Sequence, residues 1–392
     1  MTIKHFSLCG GGIVGLVMYG IVKRLNLLKV WKHSEIESIY CCSIGSIIGL
    51  IIILDIEWDW VDDFWIKRPW NKIFNIEEID YFRYIDDKGI FDETTWMKLV
   101  TPLLKCKKMS PDITLLELYR ETNIEYNIYI TNMNNVTKTV INYKTFPDMR
   151  VTYAIYITTC IPYVCKPAFL NGTLYIDGGL TNNVPINDCL FDKKCDQSEV
   201  INITNELDIS HVFDLNTKYT VDDTLLNDEE PALDISAANI NANDTINDTI
   251  NNTINDTIND TDNDTTESTI DEQISDNTKE NDILDISSGN MIIPETPLEN
   301  NSIDSIINTE IDEHCNVFQF SMFLLKKMAC QLMVLNTSNN IQIENTIYAR
   351  LTPNMVDVKY WLDIIFNGKH IATCIKYGEV LADSFYRSKI NQ

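Results

Sequence analysis

Ser38-Ile39-Tyr40-Cys41-Cys42-Ser43-Ile44-Gly45-Ser46 is the stretch on which the reading of this chain turns. Residues 36–40 read as a short strand, and the apolar run from Ile44 through Leu54 reads as a buried helix. A serine between strand and helix stands in the setting that a nucleophile elbow demands. Gly45 and Ser46 are small, so the helix can pack closely behind the turn. The residue two before the serine, usually glycine in such a turn, is Cys41, whose Cβ adds strain at a tight bend. Helix capping by Ser43 is the structural alternative.

The same pattern occurs once before. Residues 3–8 form a short apolar segment ending at Gly10-Gly11-Gly12, after which residues 14–28 are apolar with helical spacing. Glycines let a backbone turn its amides into a concave site, and the helix that follows adds its positive end. An oxyanion-binding loop fits this description. So does a dinucleotide loop, because Gly10, Gly12 and Gly15 satisfy its spacing and Glu35 and Glu37 lie near where it needs an acid. On the glycines alone both readings stay open.

Further along, residues 126–133 and 139–143 read as strands joined by a turn at Asn134-Asn135, and residues 149–160 as a helix ended by Pro162. Residues 172–176 form a brief strand delivering Asp177 to Gly178-Gly179, where the backbone can turn sharply. Alone, Asp177 is an ordinary turn residue. After the glycine loop and Ser43, it is a carboxylate able to take the serine proton, and the three segments together supply what acyl transfer requires. None of the five histidines has a catalytic setting; a triad in the order Ser-Asp-His would need one after Asp177, such as His370, and a Ser43–Asp177 dyad needs none. Residues 199–204 read as another strand, residues 317–336 as a helix, 345–352 as a last strand and 371–389 as a closing helix opening near Gly368. Strands alternating with helices argue for an α/β domain with a largely parallel sheet.

The 392 residues carry a net charge of −26, but the excess is local. Residues 206–313 hold 28 of the 57 acidic side chains and 2 of the 31 basic ones, so the rest of the chain is balanced at 29 of each. No basic stripe emerges, which argues against nucleic-acid binding. Residues 243–264 repeat Asn-Asp-Thr-Ile imperfectly and lack aromatics, a composition too poor in apolar surface to offset its ordering entropy; disorder is expected over 206–313. Eleven cysteines without regular spacing suit free thiols in a reducing compartment. The four glycines within residues 6–19 argue against a signal peptide, and residues 47–54 are too few for a bilayer span of ~20 residues. Trp58, Trp60, Phe64, Trp65 and Trp70 read as core or as the lining of an acyl pocket; Lys67 and Arg68 beside them suit a bilayer interface instead.

Over roughly residues 5–190 the chain resembles the patatin-like phospholipases, which carry a glycine-rich oxyanion motif, a G-x-S-x-G elbow and an Asp-Gly-Gly/Ala motif. Thr158 to Pro162, Lys166-Pro167 and Asn183-x-Pro185 share the resemblance, with weaker echoes at 199–204 and from 345 onward. By position it implies Ser43 as nucleophile, Asp177 as proton acceptor, and Gly10, Gly11 and Gly12 as oxyanion donors, with Gly15 completing the motif. Cys41 at the elbow and Val14, where a basic residue is common, depart from the pattern. The resemblance implies a three-layer α/β/α fold with a mainly parallel central sheet, interrupted here by the long acidic disordered insert. Residues 5–204 would be the catalytic domain, 205–313 the insert and 314–392 the strand and helices completing the body. It further implies lipid acyl hydrolysis on glycerophospholipids or related acyl lipids, no metal or cofactor, and an intracellular setting peripheral to membranes. The Asn/Ile/Asp richness resembles products of AT-rich genomes, large DNA viruses among them. Two other functions compete: a patatin-fold module that binds lipid or a partner without turnover, and a dinucleotide enzyme built on Gly10–Gly15.

Overall fold

A computed structural model describes residues 2–75, 81–205, 311, 313–317, 319–321, 323, 324, 327, 328, 341–349 and 358–390. All of them belong to one of two compact units, Met1–Ala238 with Ile306–Gln392. The expectation of disorder over 206–313 lies, apart from 311 and 313, outside the described residues.

In chain order the elements are β1 (His5–Leu8), α1 (Val14–Leu27), β2 (Ser38–Cys42), α2 (Ile44–Leu54), α3 (Trp58–Ile66), α4 (Trp70–Ile73), α5 (Tyr81–Asp87), β3 (Gly89–Phe91) and α6 (Glu93–Cys106). There follow α7 (Leu115–Thr122), β4 (Glu125–Asn132), β5 (Thr137–Ile141), α8 (Val151–Thr158), β6 (Tyr163–Cys165), β7 (Ala168–Leu170), β8 (Thr173–Asp177) and α9 (Gly179–Asn182). The last are α10 (Ile186–Lys193), β9 (Val200–Thr204), β10 (Thr346–Tyr348), α11 (Val358–Ile365) and α12 (Gly368–Ile390). The expected helix over 317–336 is present at 317, 319–321, 323, 324, 327 and 328, its other residues lying outside the described ones.

The main sheet has the order β10-β9-β1-β2-β4-β8-β7, with β5 beside β4. From β10 to β4 the strands are parallel; β5, β8 and β7 continue antiparallel. Every residue of β1, β2 and β9 is buried, as both-sided coverage of a parallel sheet requires. Alternation along β2 sorts the two faces. Ile39 and Cys41 enter the cluster formed with α1, α2, α3, α6, α8 and α12, whereas Tyr40 and Cys42 meet Ile186 and Cys189 of α10 on the other. The result is three layers, α/β/α.

The C-terminal segment is built into this body. Thr346, Ile347 and Tyr348 extend the sheet beside Asn202, Ile203 and Thr204. Helix α12 lies on α1 so closely that a Cβ at Gly20 would meet the Ile375 carbonyl at 2.0 Å, and one at Gly378 the Val17 carbonyl at 2.0 Å. Lys23 Nζ then pairs with Asp62 of α3 at 2.6 Å and Glu379 of α12 at 3.1 Å, tying three helices together.

The aromatic cluster is core: Phe64, Trp65 and Trp70 are buried, and Trp58 and Trp60 pack partly buried against them. Arg68 lies inside it, its guanidinium 4.8 Å from the centre of the Phe64 ring and 5.1 Å from that of Trp70. It forms no ion pair among the described residues; its N–H groups donate to the carbonyls of Lys98 and Leu99 in α6. The reason is Pro102, inside that helix. A proline four residues on has no N–H to offer the Lys98 carbonyl, and Arg68 supplies the missing donor. Neither α6 nor its pairing with Arg68 is among the elements read from the sequence.

Arg68→Met keeps the bulk and strands the Lys98 carbonyl, so it should lower unfolding stability by about 3 kcal/mol. In an Arg68→Met, Pro102→Ala double variant the backbone N–H restored at position 102 should recover part of that loss. Denaturant unfolding of the four-member cycle reads the coupling; strict additivity would sink the pairing of Arg68 with the proline gap.

Candidate active site

Two strands end head to head along one edge of β4. Cys42, the last residue of β2, stands opposite Tyr129, and Asp177, the last of β8, stands opposite Ile130. Because β5 occupies the other edge of β4, β2 cannot continue without running into β8. The chain must leave the sheet at Ser43, and it does so with φ 50° and ψ −127°, a conformation that side chains other than glycine rarely adopt. The Ser43 N–H donates to Thr158 Oγ1 at 3.0 Å, and the Thr158 hydroxyl donates to the Tyr129 carbonyl at 2.6 Å. Ser46 closes the turn from the helix side, its hydroxyl donating to the Ser43 carbonyl at 2.6 Å.

The abutment brings together two of the residues singled out from the sequence. The Ser43 hydroxyl donates to Asp177 Oδ2. On the other carboxylate oxygen, Oδ1 accepts from the Gly179 N–H at 2.7 Å and from the Cys42 thiol at 3.7 Å. The Asp177 backbone is fixed as well, its N–H donating to the Cys160 carbonyl at 3.1 Å and its carbonyl accepting from Thr131 Oγ1 at 2.9 Å. Burial pushes the carboxyl up to about 6, against hydrogen bonds from Ser43, Gly179 and Cys42 that favour the ionised form. A carboxyl so tuned is ionised at neutral pH yet basic enough to take a proton. Of the described histidines, none hydrogen-bonds Ser43 or Asp177; His370 contacts Asn367 and the Asp363 carbonyl on the C-terminal helices.

The four glycines have different parts. A Cβ at Gly10 would meet Asn183 Oδ1 at 2.6 Å and Ser43 Cβ at 3.0 Å, so the loop lies directly against the elbow. The Gly10 N–H is taken by Asn183, donating to Oδ1 at 3.1 Å and to the carbonyl at 3.3 Å. The Gly15 N–H donates to the Gly12 carbonyl at 3.0 Å as the helix begins. Gly15 is a packing position: its Cβ would lie 2.1 Å from Ile44 Cγ1, in the first turn behind the serine. The N–H groups of Gly11 and Gly12 have no acceptor among the described residues, and Gly12 holds φ +55°. Trp361 from α11 presses its indole against Gly12, where a Cβ would come within 2.7 Å of the ring.

Asn183 follows α9 and so comes from the same short segment as Asp177. Its Nδ2 donates to Asn205 Oδ1 at 3.2 Å, and Asn205 Nδ2 donates to the Gly10 carbonyl at 3.0 Å. Sequence reasoning noted Thr158 and Asn183 only within the resemblance, gave Cys42 and Trp361 no role, and put Asn205 at the start of the insert, whereas its side chain hydrogen-bonds Asn183 and Gly10. Asn205 and Trp361 carry no local pattern; only the tertiary fold brings them to the glycine loop. Cys41 lies within β2, buried, its thiol donating to the Asn127 carbonyl at 3.5 Å.

Residues 6–190 match the family model described as patatin-like phospholipase. A protein of Invertebrate iridescent virus 6 described as a probable lipid hydrolase is 26% identical over 186 residues, 47% of this chain and 62% of its own length. An uncharacterized protein of Acanthamoeba polyphaga mimivirus is 24% identical over 207 residues, 52% of this chain and 66% of its own. The chain thus spans less than two thirds of either relative. Among solved structures, VipD from Legionella pneumophila is similar at 12% identity over 66% of each chain, with a TM-score of 0.37, too slight a likeness to bear on the fold.

The raised Asp177 value makes a stability prediction. Between its unfolded value of 3.8 and about 6 the folded chain binds the extra proton, so this group's contribution falls as pH rises through that window. Asp177→Asn removes the burdened charge, and above pH ~6 it should raise unfolding stability by on the order of 2 kcal/mol. Near pH 4 the gain should vanish. Thermal unfolding from pH 4 to 8 checks this, and a gain independent of pH would contradict a desolvated carboxylate at this position.

Proposed function

We propose that this chain, whose residues 6–190 are a patatin-like phospholipase domain, is a serine lipid acyl hydrolase that cleaves ester-linked fatty acids from glycerophospholipids or related acyl lipids. The observation that carries the reading is the hydrogen bond from the Ser43 hydroxyl to Asp177 Oδ2 at a positive-φ turn, beside unbonded N–H groups of the glycine loop. That combination matches the needs of acyl transfer: an activated hydroxyl, a base, and donors for the charge that develops. The description of the iridescent virus relative as a probable lipid hydrolase supports the substrate class.

In the proposed mechanism Asp177 Oδ2 takes the Ser43 proton as Oγ attacks the acyl carbonyl carbon. The carbonyl oxygen becomes an oxyanion facing the N–H groups of Gly11 and Gly12, which have no other acceptor among the described residues. Collapse expels the lipid alcohol, its oxygen receiving the proton from Asp177. Water then gives a proton to Asp177 and attacks the acyl carbon, and the returning proton restores Ser43 as the fatty acid leaves. Gly10 and Gly15 serve in this reading through their size, Gly10 admitting Asn183 and Ser43, and Gly15 admitting Ile44.

The catalytic body in this proposal is discontinuous, residues 5–205 with 314–392, and 206–313 is looped out of it; the boundary expected at 205 moves by one residue, because Asn205 hydrogen-bonds Asn183 and Gly10 within the body. Support comes from β10 lying beside β9 and from α12 on α1. No described helix is long and apolar enough to cross a membrane; peripheral contact with the lipid surface is part of this proposal. An intracellular setting in an infected host belongs to the same reading, in keeping with the viral sources of both relatives.

Fatty-acid release from mixed phospholipid vesicles should fall by ~10³-fold or more in both Ser43→Ala and Asp177→Ala. A fluorophosphonate probe should label the wild type and leave Ser43→Ala unlabelled. For wild type, kcat/KM should rise about tenfold per pH unit below about 6 and level off above it, as Asp177 ionises. Folded wild type that neither releases fatty acid nor reacts with the probe would end the hydrolase reading and leave a lipid-binding module.

A further inference from the structure

Asn205 stands at the end of β9, fifteen residues past the family match, and nothing in the mechanism above uses it. Its amide closes a ring of three hydrogen bonds around one residue, Gly10, engaging the N–H of the peptide before it and the carbonyl of the peptide after it. The Gly10 N–H donates to Asn183 Oδ1 at 3.1 Å, Asn183 Nδ2 donates to Asn205 Oδ1 at 3.2 Å, and Asn205 Nδ2 donates to the Gly10 carbonyl at 3.0 Å. The ring begins on a backbone donor and ends on a backbone acceptor, so the orientation of both amides is dictated. Asn183 must turn its oxygen to Gly10 and hence its nitrogen to Asn205. Asn205 must then offer its own nitrogen to the Gly10 carbonyl.

We infer that Asn205 is a positioning residue for acyl transfer: it holds the Gly10–Gly11 peptide in the orientation that turns the Gly11 N–H into the reaction site. In a trans peptide the C=O and the following N–H point in opposite directions. Pinning the Gly10 carbonyl toward Asn205 therefore aims the Gly11 N–H away from it. A peptide between two glycines has no Cβ to resist a flip. The flipped peptide would point a carbonyl where the oxyanion must form, which is repulsive where a donor is needed. Asn183 adds selectivity, because its grip on Asn205 Oδ1 keeps that oxygen from accepting a flipped Gly11 N–H. The space around the ring is matched: a Cβ at Gly11 would fall 2.9 Å from Asn205 Nδ2.

This inference rests on Ser43 being an acyl-transfer nucleophile. Its test uses the full chain as wild type, Asn205→Asp and Asn205→Ala. The aspartate variant keeps the shape and the acceptor for Asn183 but replaces the donor to Gly10 with a charged acceptor, and the alanine variant removes the donor without adding charge, so a loss common to both reports the donor. Both variants should show kcat reduced ~10- to 100-fold with KM little changed. Affinity for an alkylboronic acid, whose adduct on Ser43 mimics the tetrahedral state, should weaken by the same factor as kcat/KM. Wild-type kcat in Asn205→Asp, or a loss confined to KM, would overturn the inference while leaving the hydrolase reading intact. So would activity that falls only with the folded fraction measured by thermal unfolding. A wild type without esterase activity would remove the hydrolase reading, and the inference with it.

Discussion

The site depends on one constraint, the sharing of a single edge of β4 by two strands that approach from opposite directions. Tyr129 is the last residue to receive β2 and Ile130 the first to receive β8. The backbone hydrogen bonds of β4 cannot serve both strands at once, so each ends where the other begins. Ser43 and Asp177 are the residues at those ends, and their contact follows from sheet pairing before any side chain chooses a rotamer. A hydroxyl and a carboxylate placed this way need no loop to bring them together. Both stand at the ends of strands in the buried sheet, where the backbone pairing fixes their separation.

The arrangement has costs. A serine at positive φ stores about 1–3 kcal/mol of backbone strain. A half-buried carboxylate adds to it, held by hydrogen bonds from Ser43, Gly179 and Cys42 but still partly desolvated. The surrounding backbone is packed accordingly. A Cβ at Gly45 would fall 2.6 Å from the carbonyls of Leu8 and Cys9, and one at Gly178 would fall 2.2 Å from that of Tyr129. These contacts leave the elbow no room to relax into an ordinary turn. The compensation is the doubly covered parallel sheet, whose buried strands β1, β2 and β9 supply the apolar area that tolerates a strained residue at their ends.

Much of this was legible because short periodic segments announced it. Strand, glycine loop and helix at the amino end, strand, serine and helix at the centre, and the brief strand before Asp177 all occur where their patterns place them. Cys41 shows why local reading has a limit. Its Cβ was expected to strain the turn, on the view that the strand stops at Tyr40. Strand β2 in fact runs to Cys42, so Cys41 keeps an ordinary strand position with its side chain in the core, and the unusual φ falls on Ser43. The glycine loop shows another limit. Gly10, Gly11 and Gly12 look equivalent in sequence, yet Asn183 engages the first and leaves the other two unbonded among the described residues. No local pattern could separate them, because the partner lies 173 residues away. The same holds for α6, where the carbonyl that its internal proline leaves without an N–H is met by Arg68 from another part of the chain.

The two halves of the site have different origins along the chain. Ser43, Asp177, Thr158 and Asn183 all fall within residues 6–190, the span matched by the family model. The side chains that bear on the glycine loop from outside, Asn205 at the end of β9 and Trp361 on α11, come from beyond it. Strand β9 is also the one that β1 and β10 flank, so the sheet position that carries Asn205 is fixed on both sides. A chain cut at residue 190 would keep Ser43 and Asp177 in sequence but lose the strand beside β1, the helix packed on α1 and the amide that grips Gly10. The matched span therefore carries the paired hydroxyl and carboxylate without being a complete folding unit, and the residues after it supply the order that its glycines lack.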